Sequence, residues 1–118
     1  KFKYSSCDFI KNWPSQIKLF GWYNRLEKNG YQAAHIHPYG WLSGVIYLKT
    51  VDLSDEYEGA IEFSLQGLDY IKITSSNPKV LHQPKKGDLV LFPSSVFHKT
   101  LPFKSETTRC VIAFDIMP

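Results

Sequence analysis

The sequence predicts an all-β domain, either a sandwich or a barrel. About nine short runs rich in Val, Ile, Leu, Phe and Tyr follow one another along the chain, separated by turn-forming Gly, Pro and Asn residues. No long stretch has the apolar periodicity of an amphipathic helix, which argues against a parallel α/β sheet. At 118 residues the chain can build one hydrophobic core. We therefore expect a single domain over 1–118 with its core at about 20–116.

The N-terminal segment predicts the helical part of this domain. Residues 1–19 mix Lys with Phe, Ile and Leu around the sequence NWPS, which indicates a short helix and a turn packed on the outside.

Asn29-Gly30 and the PYG sequence at 38–40 are typical of turns, and they bound the first predicted strands. These strands lie at 20–27, 31–37 and 41–49.

An acidic segment divides the predicted strands into two groups. Residues 51–58 are expected to form a solvated loop that closes at Gly59. Short apolar runs bounded by turn residues resume after it and predict the remaining strands. These lie at 60–65, 69–74, 79–82, 88–92, 97–103 and 108–116.

The composition is that of a globular protein and excludes several functional classes. Apolar residues make up 43% of the chain and aromatic residues 15%, while the net charge is only +3. The Lys and Arg residues form no basic stripe, so nucleic-acid binding is not predicted. Neither a membrane span nor a signal peptide is visible. Cys7 and Cys110 form no metal-binding pattern and are expected to be reduced thiols of a cytoplasmic protein, although one long-range disulfide is the alternative.

Three histidines and one arginine are the strongest indication of function. His35 and His37 are one residue apart, and alternation along a strand would place both imidazoles on one face, within reach of one metal ion. His98, from a distant strand, would complete a facial site that leaves the other coordination positions open. An isolated pair of this kind is more often a coincidence, but His98 and Arg109 follow in an order that favours the metal site.

The order of these motifs resembles the core of the Fe(II)/2-oxoglutarate-dependent oxygenases. A His-x-His strand end precedes SGVIYL at 43–48, GDLVLFP at 87–93 leads to His98, and Arg109 follows 11 residues later. The resemblance covers residues 22–116 and is strongest to a short, largely uncharacterised branch of the superfamily. It implies a double-stranded β-helix, that is, a jelly roll with a cupin-like fold, preceded by the short helical segment.

The resemblance also implies roles for individual residues. His35 and His98 match the two iron-binding histidines, so the expected cofactor is Fe(II). Arg109 matches the basic residue that pairs with the far carboxylate of the cosubstrate 2-oxoglutarate, where a guanidinium offers two parallel hydrogen bonds. Tyr47 matches a position that often donates a hydroxyl to the cosubstrate, although a core aromatic is an equal alternative. Asn24 is a further candidate for the same pocket.

One residue departs from the pattern of the superfamily. His37 stands where most members have Asp or Glu, two residues after the first histidine. The site is therefore either a three-histidine centre or a two-histidine centre with His37 nearby and unbound. Asp52 or Asp55, in the acidic loop, could supply the missing carboxylate, but their spacing does not require it.

The function implied by the resemblance is hydroxylation of a small-molecule or peptide substrate, coupled to decarboxylation of 2-oxoglutarate. The sequence does not identify this substrate. Two alternatives remain: a cupin-type metalloprotein that does not use 2-oxoglutarate, such as a thiol dioxygenase or an isomerase, and a non-catalytic β-barrel binding module. The glutamate that usually follows the cupin His-x-His is absent from residues 38–44, which disfavours the first alternative. An apolar edge strand could support a homodimer.

Overall fold

The computed structural model describes residues 6–67 and 78–118, which contain one short helix and eight strands. Each predicted strand has a counterpart except the one at 69–74, which lies outside the described residues. No helix in the described ranges has the length and apolar character needed to cross a bilayer. The elements are α1 Asp8–Lys11, β1 Lys18–Leu26, β2 Gln32–His35, β3 Leu42–Lys49, β4 Ile61–Ser64, β5 Lys79–His82, β6 Leu89–Pro93, β7 Phe97–Thr100 and β8 Arg109–Met117.

The strands form two antiparallel four-stranded sheets. The order is β1-β8-β3-β6 in one sheet and β2-β7-β4-β5 in the other. Apart from the β4–β5 pair, each strand lies in the opposite sheet from the one before it, so the chain winds back and forth between the two layers. This topology confirms the predicted double-stranded β-helix.

The hydrophobic core lies between the inner faces of the two sheets. It consists of Val45, Tyr47, Ile61, Phe92 and Val111. Because side chains alternate along a strand, residues two apart on β3 both point inward, and the same applies to β8. Each such side chain contributes roughly 1.5–3 kcal/mol when it is fully buried. This packed layer gives the cavity described below a rigid floor.

The outer face of the first sheet is also apolar. Leu19, Tyr23, Leu89, Leu91 and Ile112 are all exposed there, with 72% of Leu19 accessible to solvent. The register places Tyr23 beside Ile112, so these side chains form a continuous surface and are not scattered singly. Broad apolar surfaces of this kind are typical of contact faces. The homodimer expected from the sequence stays a prediction.

Candidate metal centre

The three histidines converge at one end of the space between the sheets. His35 is the last residue of β2 and is paired directly with His98 on β7. One ligand nitrogen from each ring lies within 4.8 Å of those of the other two. The ring centroids are 4.3 Å apart for His35 and His98, 5.2 Å for His35 and His37, and 5.0 Å for His37 and His98. Three nitrogens at these separations can reach one metal ion.

His37 reaches this cluster from a turn and not from a strand. The predicted strand 31–37 is too long at its C-terminal end, because β2 stops at His35. The His37 amide donates to the Ser94 carbonyl at 2.9 Å, and the Ser94 amide donates to the Trp41 carbonyl at 3.1 Å. Gly40 fits closely in this turn, since a Cβ there would lie 2.5 Å from the Ser94 hydroxyl. The tight turn therefore replaces strand alternation as the cause of the proximity of His37 to the cluster.

The protonation of two imidazoles is fixed by main-chain carbonyls. The Nδ1 atom of His35 lies 2.7 Å from the Ala33 carbonyl oxygen, and that of His98 lies 3.0 Å from the Val96 carbonyl oxygen. A carbonyl can only accept, so each ring donates its Nδ1 proton, and the neutral form of each ring has its lone pair on Nε2. Within residues 6–67 and 78–118 neither Nε2 atom takes part in a hydrogen bond. Both rings therefore present a metal-binding nitrogen to the cluster.

His37 has a different partner, which the sequence did not indicate. Its Nδ1 atom lies 2.7 Å from an Asp115 carboxylate oxygen. The Ser43 hydroxyl donates to the same oxygen at 2.6 Å, and the Ser43 and Ser94 hydroxyls are 2.8 Å apart. One feature of the sequence could have indicated Asp115: alternation along β8 places it on the same face of the strand as Arg109.

Burial keeps His98 neutral. Its pKa is lowered to about 4, chiefly because the ring is desolvated, and the neighbouring His35 and His37 lower it further. The hydrogen bond to the Val96 carbonyl acts in the opposite direction but is outweighed. A neutral imidazole with a free lone pair is the form that binds metal, so His98 is in its metal-binding form at neutral pH.

Arg109 lies in the same cavity with part of its hydrogen-bonding capacity unused. It is the first residue of β8 and is only 2% exposed. Its Nε and one terminal nitrogen are buried without a hydrogen-bond partner among the described residues. The acidic residues nearest to Arg109 in the sequence, Glu106 and Asp115, do not neutralise it, because both pair with other side chains. Burial also lowers the Arg109 pKa, with the nearby Tyr47 opposing the shift.

Tyr47 lies in the core beneath Arg109 and does not line the cavity. The guanidinium carbon of Arg109 is 5.0 Å from the centre of the Tyr47 ring, a cation–π contact. By geometric criteria, the Tyr47 hydroxyl is buried without a hydrogen-bond partner in the described ranges. Burial raises the Tyr47 pKa, while the charge of Arg109 acts to lower it.

The cavity brings together five of the six residues selected from the sequence, all except Tyr47. The cavity itself is small, about 30 Å³, and the empty space around it, including the open mouth, is about 370 Å³. Three imidazoles that could hold a metal ion and a guanidinium with two unpaired nitrogens thus line one narrow space between the sheets. The cavity is lined by Trp22, Asn24, Gln32, His35, His37, Val45, Ile61, His98, Thr100, Arg109, Val111 and Ala113.

The acidic loop does not supply a carboxylate to this cavity. Asp52 accepts a hydrogen bond from Thr107 at 2.6 Å, and Asp55 forms an ion pair with Lys104 at 2.6 Å. Glu58 is buried and accepts hydrogen bonds from neighbouring groups, so the loop is less solvated than its sequence predicted. Among the described residues, the carboxylate that contacts a histidine of the cluster is that of Asp115.

Comparison with known proteins decides the family. The sequence profile of a family described as "Putative 2OG-Fe(II) oxygenase" matches residues 21–115. The chain belongs to this family. The match extends over most of the chain and includes every cavity residue selected from the sequence. No curated protein sequence is significantly similar to the chain.

Solved structures with low sequence identity share the fold. An oxidoreductase of the 2OG-Fe(II) oxygenase family from Burkholderia pseudomallei is 16% identical, with a TM-score of 0.63 over 85% of this chain and 44% of its own. A prolyl-4-hydroxylase from Pseudomonas putida is 18% identical, with a TM-score of 0.61 over 84% and 51%. Iron-bound HygX from Streptomyces hygroscopicus is 14% identical, with a TM-score of 0.62 over 86% and 58%. The chain thus spans about half the length of these proteins.

Proposed function

We propose that the chain acts as an Fe(II)/2-oxoglutarate-dependent dioxygenase, which couples decarboxylation of 2-oxoglutarate to hydroxylation of a small-molecule or peptide substrate. The observation that carries the proposal is the buried Arg109, which lines the same cavity as three imidazoles and keeps two nitrogens without a partner among the described residues. A buried unpaired donor costs about 1–3 kcal/mol, so a ligand that accepts hydrogen bonds from Arg109 would recover that free energy on binding. Membership of the oxygenase family supports the same assignment.

The proposed iron ligands are the Nε2 atoms of His35, His37 and His98. Their Nδ1 atoms each contact an acceptor, and this leaves three lone pairs for one facial site. A neutral His37 in place of a carboxylate leaves the metal with one more positive charge, which favours a dianionic cosubstrate. His37→Asp should retain iron, because a carboxylate is the usual ligand at this position. His37→Ala removes the ligand and should weaken iron binding markedly.

Arg109 is the proposed partner of the far carboxylate of 2-oxoglutarate. Its fork can donate two parallel hydrogen bonds to that group, and the apolar surroundings strengthen them. Tyr47 would hold the guanidinium from the core side through its ring. Asn24 lines the same cavity, and its amide would contact the cosubstrate beside Arg109. The cosubstrate would thus lie between the guanidinium and the metal.

When bound, Fe(II) and 2-oxoglutarate supply the oxidising chemistry, and the chain supplies binding, orientation and exclusion of water. The substrate would enter beside His37, where Phe20, Trp22 and Tyr39 form an aromatic margin. Phe20 and Tyr39 are 59% and 83% exposed, so this margin offers apolar contact area at the entrance. We expect the C–H bond to be hydroxylated to belong to an apolar part of the substrate.

An anaerobic titration tests the assignment. Fe(II) should bind once per chain, and addition of 2-oxoglutarate should produce a weak metal-to-ligand absorption band in the visible region. Iron binding without that band would favour a cupin-type protein that does not use 2-oxoglutarate. Absence of iron binding would favour the non-catalytic binding module. Release of succinate in the presence of O₂ would then provide a direct assay for candidate substrates.

A further inference from the structure

We propose that Asp115 is a positioning residue for the metal centre: it holds His37 in its binding orientation from the far side of the ring. The inference rests on the proposed metal site. Most members of the superfamily have a carboxylate ligand two residues after the first histidine. In this chain the carboxylate would come from β8 instead, and it would act on the metal through its hydrogen bond to His37. Ser43 and Ser94 complete this arrangement.

The geometry distinguishes this pair from an incidental contact. The Nδ1 atom of His37 and the Asp115 carboxylate oxygen are 2.7 Å apart, and neither side chain is more than 15% exposed. The Ser43 hydroxyl, itself 1% exposed, donates to the same carboxylate oxygen at 2.6 Å. Two donors on one oxygen fix the carboxylate beside the imidazole ring.

The main chain holds the same group of residues together. Ser94 is fully buried, and its hydroxyl is 2.8 Å from that of Ser43, while its carbonyl accepts the His37 amide. A Cβ on Gly40 would lie 3.4 Å from the Asp115 carboxyl carbon and much closer to Ser94. Close packing on this side leaves the carboxylate little freedom to turn. Asp115 is therefore part of a built structure behind His37.

The carboxylate gives His37 a property that the other two histidines lack. His35 and His98 donate Nδ1 protons to neutral carbonyls, whereas His37 donates to an anion. Hydrogen bonds to ionised groups are roughly twice as strong as neutral ones. A carboxylate partner fixes the tautomer and raises the electron density on Nε2, which strengthens the metal bond. His37 thereby becomes a better replacement for the usual anionic ligand.

The test is metal affinity, measured with Co(II) alone under anaerobic conditions. Asp115→Ala should weaken Co(II) binding by roughly 10- to 100-fold, the usual effect of removing such a partner. Asp115→Asn keeps an acceptor but not the charge, so it should fold normally, bind Co(II) with an intermediate affinity and shift the Co(II) absorption bands. The matched control is Asp88→Asn, because Asp88 forms the other His–Asp pair, with His82 at 3.1 Å, outside the cavity. This control should change neither affinity nor spectrum.

A double-mutant cycle separates positioning from other roles. His37→Phe fills the place of the imidazole and keeps Asp115 from replacing it at the metal. If Asp115 acts through His37, adding Asp115→Asn to His37→Phe should change Co(II) affinity by less than about threefold. A full loss repeated in that background would overturn the inference, because the carboxylate would then act independently of His37. Parental affinity and spectrum in Asp115→Asn would also overturn it while leaving the proposed function intact, provided that His35→Ala loses the metal. A parent that binds no Co(II) would overturn both.

Discussion

The two ends of the cavity differ in how completely the chain satisfies its polar groups. At the histidine end, each of the three Nδ1 atoms contacts an acceptor within 3.0 Å. At the opposite end, Arg109 carries two buried nitrogens without a partner in the described residues, and the hydroxyl of Tyr47, in the core beneath it, has none either. His35 and His98 lie on the second sheet, whereas Arg109 and Tyr47 lie on the first. Outside these two groups, Trp41 Nε1 and Gln83 Oε1 are also buried without a partner among the described residues.

The contrast shows what each end requires from a ligand. At the histidine end, the three Nδ1 contacts orient the rings, and the three ligand nitrogens already lie within 4.8 Å of one another, so a metal would meet a partly preorganised site. The arginine end carries two buried nitrogens without acceptors, which cost stability because they have lost their bonds to water. In the proposed function, a carboxylate of the cosubstrate would pair with them. Metal binding at the first end should therefore depend on each individual histidine. Cosubstrate binding at the second end should depend on the charge and shape of the Arg109 side chain.

The largest expected effect is loss of the metal from the histidine end. His35→Ala or His98→Ala should lower metal affinity by at least roughly 100-fold, because each removes one ligand of a three-point chelate. The metal-dependent rise in the melting temperature of the parent should disappear as well. Elemental analysis after dialysis measures occupancy, and His82→Ala, which lies outside the cavity, is the control. Full occupancy in both variants would show that these histidines are not ligands.

The next effect concerns the arginine end. Arg109→Lys keeps the charge but loses the bidentate fork, so 2-oxoglutarate affinity should fall by roughly 10- to 100-fold, or about 1.5–3 kcal/mol. Metal content should stay at the parental value. Arg25→Lys is the matched control, since Arg25 is exposed and pairs with Glu27. Isothermal titration calorimetry measures the 2-oxoglutarate affinity of the variant and of the control. Unaltered affinity in a folded Arg109→Lys protein would point to a metalloprotein that does not use the cosubstrate.

A smaller effect concerns the pH dependence of the metal-free protein. The His98 pKa is depressed from 6.5 to about 4 in the folded state, so between these values the unfolded chain binds more protons. The contribution of His98 to stability should therefore be constant above about pH 6.5 and fall as the pH decreases toward 4, by roughly 3 kcal/mol. Urea unfolding with a chelator present measures this dependence. His98→Gln should lack this component, and an unchanged pH profile in that variant would contradict the assignment to His98.

The smallest effect has the opposite sign. Arg109→Met replaces unpaired buried donors with an apolar side chain of similar length, so the ligand-free protein should become more stable by about 1 kcal/mol. The same variant should lose 2-oxoglutarate binding altogether. Chemical denaturation of parent and variant checks the first part. A destabilisation of more than about 1 kcal/mol would mean that Arg109 is satisfied in the ligand-free protein and that the two ends do not differ as described.

Most of the fold could be predicted from local sequence. Alternating apolar residues and turn-forming residues identify all eight observed strands, because both act over a few positions. Boundaries were less accurate: β2 ends at His35 and β7 at Thr100, both earlier than predicted. Pairing with neighbouring strands decides where a strand ends, and local sequence does not contain that information.

The sequence by itself determined that one all-β domain would carry histidines and an arginine in an order suited to a metal site. It determined this because residue type, spacing and strand periodicity are local properties. Only the tertiary structure decided which hydrogen-bond partners these histidines and this arginine have. Asp115 meets His37 across 78 positions and Ser43 across 72, and Arg109 is left unpaired above Tyr47. Such contacts depend on which strands become neighbours, and that is fixed by the packing of the whole chain.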